Sequence, residues 1–455
     1  MRVSLPLSPL QIPVLLAALA GSMLLASMPS PAGTIASWVE LVGMDAASIR
    51  VITDSPSCPA LLADGRALAM AVRATTKPLY ERQADPQNTP VFTSLTCEAA
   101  VPPGVKSVLL DGEKLPLPGP AVNRIVVIGD TGCRYKVKEK KNHKFRINAQ
   151  DCGSETEWPF QAMAERAAKA NPDLVIHVGD YLYREPCPEN FTACRKDWAP
   201  GYGEAAWMAD FFNPAKPLLK AAPWVMVRGN HENCARAADG WFRYFHHGNP
   251  PAACDPFVAA FVAKTGGTGF LVLDSADAEG ATDREDDEDE GGSPIQPDKV
   301  AFLKQSFAAA AAGVAPGTWL LSHRPFNAVR SKNTDKVDNT LLQKELGPAI
   351  PPGVQMIVSG HIHIFESLSF DDGPPQRPPQ LVVGTGGDEL GHEPGIPASV
   401  NGAPVATPAA RLAKFGYMVW DRSGTGWTGT LFSETGDQLV ACQLAGRTLR
   451  CDPTP

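Results

Sequence analysis

The feature that most constrains this chain is a set of short apolar runs, each ending on small and polar residues able to bind a metal. Ile125–Ile128 leads into Gly129-Asp130-Thr131-Gly132, and Asp173–Val178 into Gly179-Asp180-Tyr181-Leu182-Tyr183. Trp224–Val227 leads towards Gly229-Asn230-His231-Glu232, Trp319–Leu321 into Ser322-His323, and Gln355–Val358 towards Gly360-His361-Ile362-His363. Runs of this length and composition read as buried strands. Open α/β sheets gather their sites at strand ends, so the five motifs are expected to converge. Together they supply carboxylates, a carboxamide, imidazoles and a phenol, the mixed oxygen and nitrogen set that Fe, Mn and Zn accept.

Between the motifs the texture alternates. Phe160, Met163, Ala164 and Ala167 fall on one helical face, and Ala205–Phe212, Asp298–Ala312 and Leu341–Leu346 also read as helices. Phe270–Asp274 and Leu381–Val383 read as further strands. Such units predict a largely parallel sheet, or two stacked sheets, flanked by helices, over residues 121–455. Gly416–Leu444 looks like closing β-hairpins. Residues 34–120 differ: Trp38–Val42, Ser48–Thr53, Ala67–Arg73 and Lys106–Leu110 are short strand-like runs broken by Pro, Gly and Asp. They predict a small β-sandwich domain, followed by the stiff spacer Leu115–Pro120.

Residues 1–33 read as an export signal. Arg2 gives a thin positive start, Val14–Ala26 is apolar, and Ser27–Gly33 is small and Pro-broken. Pro6, Pro9 and Pro13 and the short apolar core argue against a stable membrane span. The ten cysteines are an even number with no CxxC spacing, which favours disulfides over a zinc site. Sequence alone leaves their connectivity open; sequential pairing closes the most modest loops, joining Cys58 to Cys97, Cys133 to Cys152, Cys187 to Cys194, Cys234 to Cys254 and Cys442 to Cys451. The net charge of −8 comes largely from Asp277–Glu290, with nine acids against one Arg. That block reads as a disordered acidic insert (277–292), since like charges repel and the EF-hand spacing is missing. The remainder is near neutral, so no nucleic acid is implied as an obligate partner. Nothing in the sequence fixes an oligomeric state.

With these motifs in order, the chain resembles the calcineurin-like metallophosphoesterase superfamily, most closely its purple acid phosphatase branch, over roughly Arg124–Gly387. The superfamily's first motif is usually Asp-x-His, but position 132 is Gly here. The purple acid phosphatase pattern replaces that ligand with a Tyr three residues after the second Asp, and Tyr183 stands there. The resemblance implies a four-layer sandwich, two mixed β-sheets flanked by helices, preceded by the small β-sandwich. It implies one metal held by Asp130, Tyr183 and His363, a second by Asn230, His323 and His361, and Asp180 bridging them. Phenolate and carboxylates favour ferric iron, and imidazoles and an amide favour a divalent Fe, Zn or Mn. His231 would protonate the leaving group, with Glu185 orienting it. Arg324 stands where the family tends to place further His residues, and is assigned to phosphate binding.

The implied activity is that of an exported phosphatase acting on a small-molecule phosphate monoester through a metal-bound hydroxide. A phosphodiesterase or nucleotidase on the same core remains open, as does a non-catalytic exported binding protein used for adhesion or metal storage. Other features have plainer readings. His177 lies in an apolar strand as core, His392 is surface, and His246 and His247 follow an aromatic run and are candidates for the pocket mouth. The segment Arg134–Arg146 holds seven basic residues against one Glu. It is either a pinned loop that draws anionic substrate inward or a solvated hairpin.

Overall fold

The structure is a computed structural model. It describes residues 1, 33–80, 89–140, 144–278, 297–329, 340–371, 373, 377–392, 395–400 and 402–454. The expected export signal, nearly all of the acidic insert and the tip of the basic segment lie outside the described residues.

Among the described residues the strands form an eleven-stranded sheet, an eight-stranded sheet and two smaller sheets of four and two strands. In the first, Leu174–His177 runs parallel between Arg124–Ile128 and Trp224–Met226. In the second, Thr268–Leu273, Thr318–Ser322, Val354–Ser359 and Gln380–Val383 run parallel in that order. Their Val, Ile and Leu content suits strands covered on both faces.

Alternate residues of these strands divide between two interfaces. Val127, Ile176 and Val225 share one core with Phe270, Trp319, Met356 and Val358, which packs the two sheets face to face. Their neighbours Val126, Val175 and Trp224 instead meet Phe160, Met163 and Ala167 of the helix Phe160–Lys169. On the far side, Leu271, Leu320 and Ile357 meet Leu303 and Phe307 of the helix Pro297–Ala311. The result is a four-layer helix–sheet–sheet–helix sandwich. Each buried aliphatic or aromatic side chain contributes roughly 1.5–3 kcal/mol, and a slip of one residue would exchange the two faces. Strand register, and with it the position of every motif, is therefore fixed by packing.

The N-terminal region is β-rich, and its hydrogen bonding continues into the main sheet. Thr34–Gly43 pairs parallel with Trp224–Met226 through Glu40 and Trp224, and antiparallel with Ala46–Thr53. Leu95–Ala100 and Ala71–Ala74 extend the same sheet. Leu61–Ala63, Arg66–Leu68, Val108–Leu110 and Glu113–Lys114 make the separate four-stranded sheet. All five disulfides follow the sequential pairing: Cys58–Cys97, Cys133–Cys152, Cys187–Cys194, Cys234–Cys254 and Cys442–Cys451.

Candidate metal centre

Each parallel strand hands its motif to a sharp turn, and the turns interlock. Asp130 N–H donates to the Gly179 carbonyl at 2.9 Å, and Thr131 N–H to that of Asp180 at 3.0 Å. Four motif residues occupy the left-handed region: Asp130 (φ 56°), Asp180 (58°), His361 (77°) and His363 (45°). Such backbone is unfavourable for a side chain other than Gly and persists where the surroundings over-determine it. Two glycines show how tight the fit is. A Cβ on Gly229 would stand 2.0 Å from Asp180 Oδ1, and one on Gly132 would stand 2.8 Å from Tyr181 O and Tyr183 N. With the Tyr183 loop on its present path, position 132 has no room for the His of the usual Asp-x-His motif.

The motif side chains converge. The Tyr183 hydroxyl lies 3.1 Å from Asp130 Oδ1, 2.8 Å from Asp180 Oδ2 and 2.9 Å from His363 Nε2. His323 Nε2 lies 3.1 Å from Asp180 Oδ2 and 2.9 Å from Asn230 Oδ1. Asp180 with His323 and His361, and Asp130 with Asp180 and His363, form two groups whose donor atoms lie within 4.8 Å of one another. Asp130 also accepts from the His361 N–H at 3.1 Å, and Asp180 from the His231 N–H at 2.9 Å. The six residues Asp130, Asp180, Tyr183, Asn230, His323 and His363 thus form one contact network, and His361 joins it through Asp130 and the first of those groups.

Counting protons shows what this network fits. His323 Nδ1 faces the Val178 carbonyl at 2.8 Å, and His363 Nδ1 faces the Glu389 carbonyl at 3.0 Å. Each Nδ1 must carry the hydrogen, so in the neutral rings each Nε2 presents a lone pair inward. The Tyr183 hydroxyl has one proton for three acceptors. Lone pairs therefore outnumber protons, and the arrangement fits cations held by oxygen and nitrogen. Electrostatically the acids draw positive charge onto the rings, the same charge that a cation would supply. Burial, then Asp180 and Asp130, hold the Tyr183 phenol well above its ordinary range. Burial opposes charge on His323, yet Asp180 outweighs it and lifts the ring to about 9. His363 is raised likewise by Asp388 and Asp130 against burial.

Three buried acids that the sequence reasoning did not assign hold this arrangement in place. Glu232 accepts from the backbone N–H groups of Asp180 (3.1 Å), Tyr181 (2.9 Å), Leu182 (3.3 Å) and Gly229 (3.1 Å). Burial, then Asp180, raise its pKa to about 8. Asp210 takes the N–H groups of Cys133 and Tyr183 at 3.2 and 2.9 Å and pairs with Arg184. Asp388 lies 3.2 Å from His363 Nδ1 and pairs with Arg134. Only Glu232 carried a signal, as the last residue of the third motif.

The three residues expected to act on substrate lie at this cluster. The His231 ring packs on that of Tyr183, with centroids 4.0 Å apart. Its Nδ1 is 3.9 Å from Glu185 Oε1, an ion-pair distance beyond hydrogen-bond range. Glu185 also accepts from Tyr202 Oη at 2.5 Å and faces Arg236 at 3.5 Å. Burial, then Arg236, lower the His231 pKa well below the usual range. Arg324 Nη1 is 2.9 Å from His361 Nε2. Elsewhere His177 is core, bonded to Thr131 Oγ1 at 3.0 Å. His246 and His247 line a small pocket with Glu40 and Arg228, and His247 stacks on Phe261.

Comparison with known proteins is consistent with this geometry. Residues 123–365, more than half of the chain, match the model of the calcineurin-like phosphoesterase family. No curated protein gives a significant match. Among solved structures the chain is similar to PhoD at 11% identity, over 92% of each chain, with a TM-score of 0.49. It is similar to GAP50, the anchor in the inner membrane complex of Plasmodium, at 12% identity, over 72% of this chain and 90% of that one, with a TM-score of 0.42. A predicted phosphoesterase from Streptococcus pneumoniae shares 10% identity over 73% of this chain and 99% of that one, with a TM-score of 0.24.

Proposed function

The chain belongs to the calcineurin-like phosphoesterase family, and from that premise we propose that it is an exported phosphatase cleaving phosphate monoesters, nearest the purple acid phosphatases in its ligand set. As a member of that family it is a metal-dependent phosphoesterase. In our reading Asp130, Tyr183 and His363 would hold one cation, Asn230, His323 and His361 would hold the other, and Asp180, common to both donor groups, would serve both. A phenolate with carboxylates suits ferric iron, and imidazoles with a carboxamide suit divalent Fe, Zn or Mn. When bound, such a pair supplies Lewis acidity at the phosphoryl oxygens and activation of water.

The chain's own residues do the rest. In this reading His231 gives a proton to the leaving oxygen. Burial and Arg236 oppose the charged ring while Asp180 and the Glu185 carboxylate at 3.9 Å favour it, so the ring takes up its proton with the anionic substrate in place. Engaging the His361 Nε2 lone pair elsewhere would free Arg324 to present its planar fork to two phosphoryl oxygens. The five disulfides support an oxidising compartment.

The observation that carries this reading is the Tyr183 hydroxyl within 3.1 Å of Asp130, Asp180 and His363. Its test is turnover of a chromogenic monoester beside the matching diester, on purified protein with its metals quantified. Preference for the monoester is expected. Preference for the diester would replace phosphatase by phosphodiesterase, and no turnover of either at full metal occupancy would leave a binding protein. His231→Ala should keep both metals and lose about 10²–10⁴-fold in rate.

A further inference from the structure

On either side of its tip, the basic segment beside the site forms two paired strands, and the described lysines and Arg146 fall on one face. Tyr135–Glu139 pairs antiparallel with Phe145–Ala149, placing Lys138 opposite Arg146 and Lys136 opposite Asn148. The Lys140 N–H donates to the Lys144 carbonyl at 2.8 Å, continuing the ladder. Side chains alternate along strands and cross-strand partners share a face, so Lys136, Lys138, Lys140, Lys144 and Arg146 project together. The hairpin's one acid, Glu139, falls on the other face with Tyr135, Val137, Phe145 and Ile147. Strand rise makes the stripe about 13 Å long from Lys136 to Lys140.

The base of this hairpin is fixed to the metal centre. The Cys133–Cys152 bridge closes it. The Tyr135 N–H donates to the Tyr183 carbonyl at 3.2 Å, and the Glu185 N–H donates to the Tyr135 carbonyl at 2.9 Å. The Arg134 guanidinium lies 5.0 Å over the Tyr183 ring, and Phe145 packs on Phe191 with centroids 5.0 Å apart. The Lys136 charge reaches Glu185 and helps to hold that carboxyl down. The cationic stripe therefore starts beside Glu185 and His231 and runs away from them along the paired strands. Sorting charge onto one face suits any hairpin whose other face is apolar; what points to an anion is that the stripe starts beside Glu185.

We propose that this face is a distal anion subsite, which takes a further phosphoryl group of the substrate while the scissile one sits among the five motifs. The preferred substrates are then polyphosphorylated, with successive anionic groups spaced along the stripe. The proposal rests on the phosphoesterase reading for the scissile group. Nucleoside polyphosphates and inorganic polyphosphate share the required chemistry.

The test measures equilibrium binding of inorganic tripolyphosphate and of orthophosphate to the protein as purified, in wild type and in the double variant Lys138→Ser, Arg146→Ser. Both side chains are exposed, so the substitutions leave the core untouched. Wild type should favour tripolyphosphate by about tenfold or more at low salt, with the preference fading as the Debye length falls towards about 8 Å at 0.15 M. The double variant should lose most of that preference, and the charge-conserving pair Lys138→Arg, Arg146→Lys should restore it. Competition by a nucleoside triphosphate or by longer inorganic polyphosphate then identifies the source. Equal binding of the two anions by wild type, or an unchanged preference in the double variant, overturns the subsite. Because binding is read apart from turnover, a chain that hydrolyses no ester but still shows this dependence would refute the phosphatase reading and keep the subsite.

Discussion

Two regions of this protein bury charge, and they do so in opposite ways. Near the N-terminal strands, Arg50 pairs with Glu40 at 2.9 Å and Arg73 with Glu98 at 2.9 Å. Arg50 Nε donates to Ser48 Oγ, and other guanidinium hydrogens go to the carbonyls of Phe242, Arg243, Tyr244, His246 and Gly248. Burial still has a cost, lifting Glu40 to about 7 and lowering Arg73 to about 10, but two acids face two bases. At the strand ends, against the effect of burial, Asp130 and Asp180 raise the pKa of the rings they face, and with those rings neutral the acceptors around Tyr183 outnumber protons. A buried network that closes on itself reads as structure; one that closes only on adding positive charge reads as a site.

The comparison breaks most visibly at Asp180. Asp180→Asn should lower turnover by more than about 10³-fold, since it removes the carboxylate shared by both donor groups. Elemental analysis should find metal content falling with it, and a variant that keeps both metals and full rate would remove the site assignment. Arg50→Ala attacks the other region. It should cost about 3–5 kcal/mol of stability by stranding Glu40 in the core, and metal content should not change. Chemical denaturation reads the first effect, and loss of metal from the folded variant would show that the two regions are not independent.

The same contrast explains what was legible in the sequence. The motif residues could be found because each follows an apolar run short enough to be a strand, and strand ends converge in this architecture. The helix face around Phe160 was readable from periodicity, and the bridges from modest loop lengths. Asp210 and Asp388 gave no signal, because their task is to hold backbone and rings across the fold and nothing in their neighbours announces it. The parallel pairing of Thr34–Gly43 with Trp224–Met226 was equally silent, since a non-local ladder has no local signature. Motif spacing pairs Glu185 with His231 but does not set their separation, which is an ion-pair distance of 3.9 Å.

Glu185 sharpens the comparison on the site side. Burial pushes its carboxyl up, but Arg236, His231 and Lys136 push harder and hold it at about 2, against 4.5 ordinarily. A depressed carboxyl stabilises the fold above its unfolded pKa, and that contribution fades as pH falls towards the folded value. The gap in stability between wild type and Glu185→Gln should therefore be largest near pH 6, at most about 3 kcal/mol, and should shrink from about pH 4.5 towards pH 2. Urea denaturation at pH 6 and pH 3 measures it. A gap of equal size at both would mean that Glu185 acts through packing.

The smallest expected effect on rate belongs to Tyr183, the residue that sets this chain apart from the Asp-x-His pattern. Tyr183→Phe keeps the ring that packs on His231 and meets His363 edge-on at 5.6 Å, and removes only the oxygen among the three acceptors. Deleting that oxygen also takes away the one proton the acceptors share, so Asp130 and Asp180 face each other with less between them and depend more on cations. If the phenolate holds ferric iron, the oxidised wild type should show a visible charge-transfer band, and the variant should lose it. Activity should fall by no more than about tenfold, because Tyr183 contributes neither the attacking group nor the leaving-group proton; general acid–base residues are the ones worth about 10²–10⁴-fold. A wild type that contains iron, turns over and is colourless would take Tyr183 out of the ligand set. Gly132 would then be explained by space alone, and the resemblance to purple acid phosphatases would give way to the broader family.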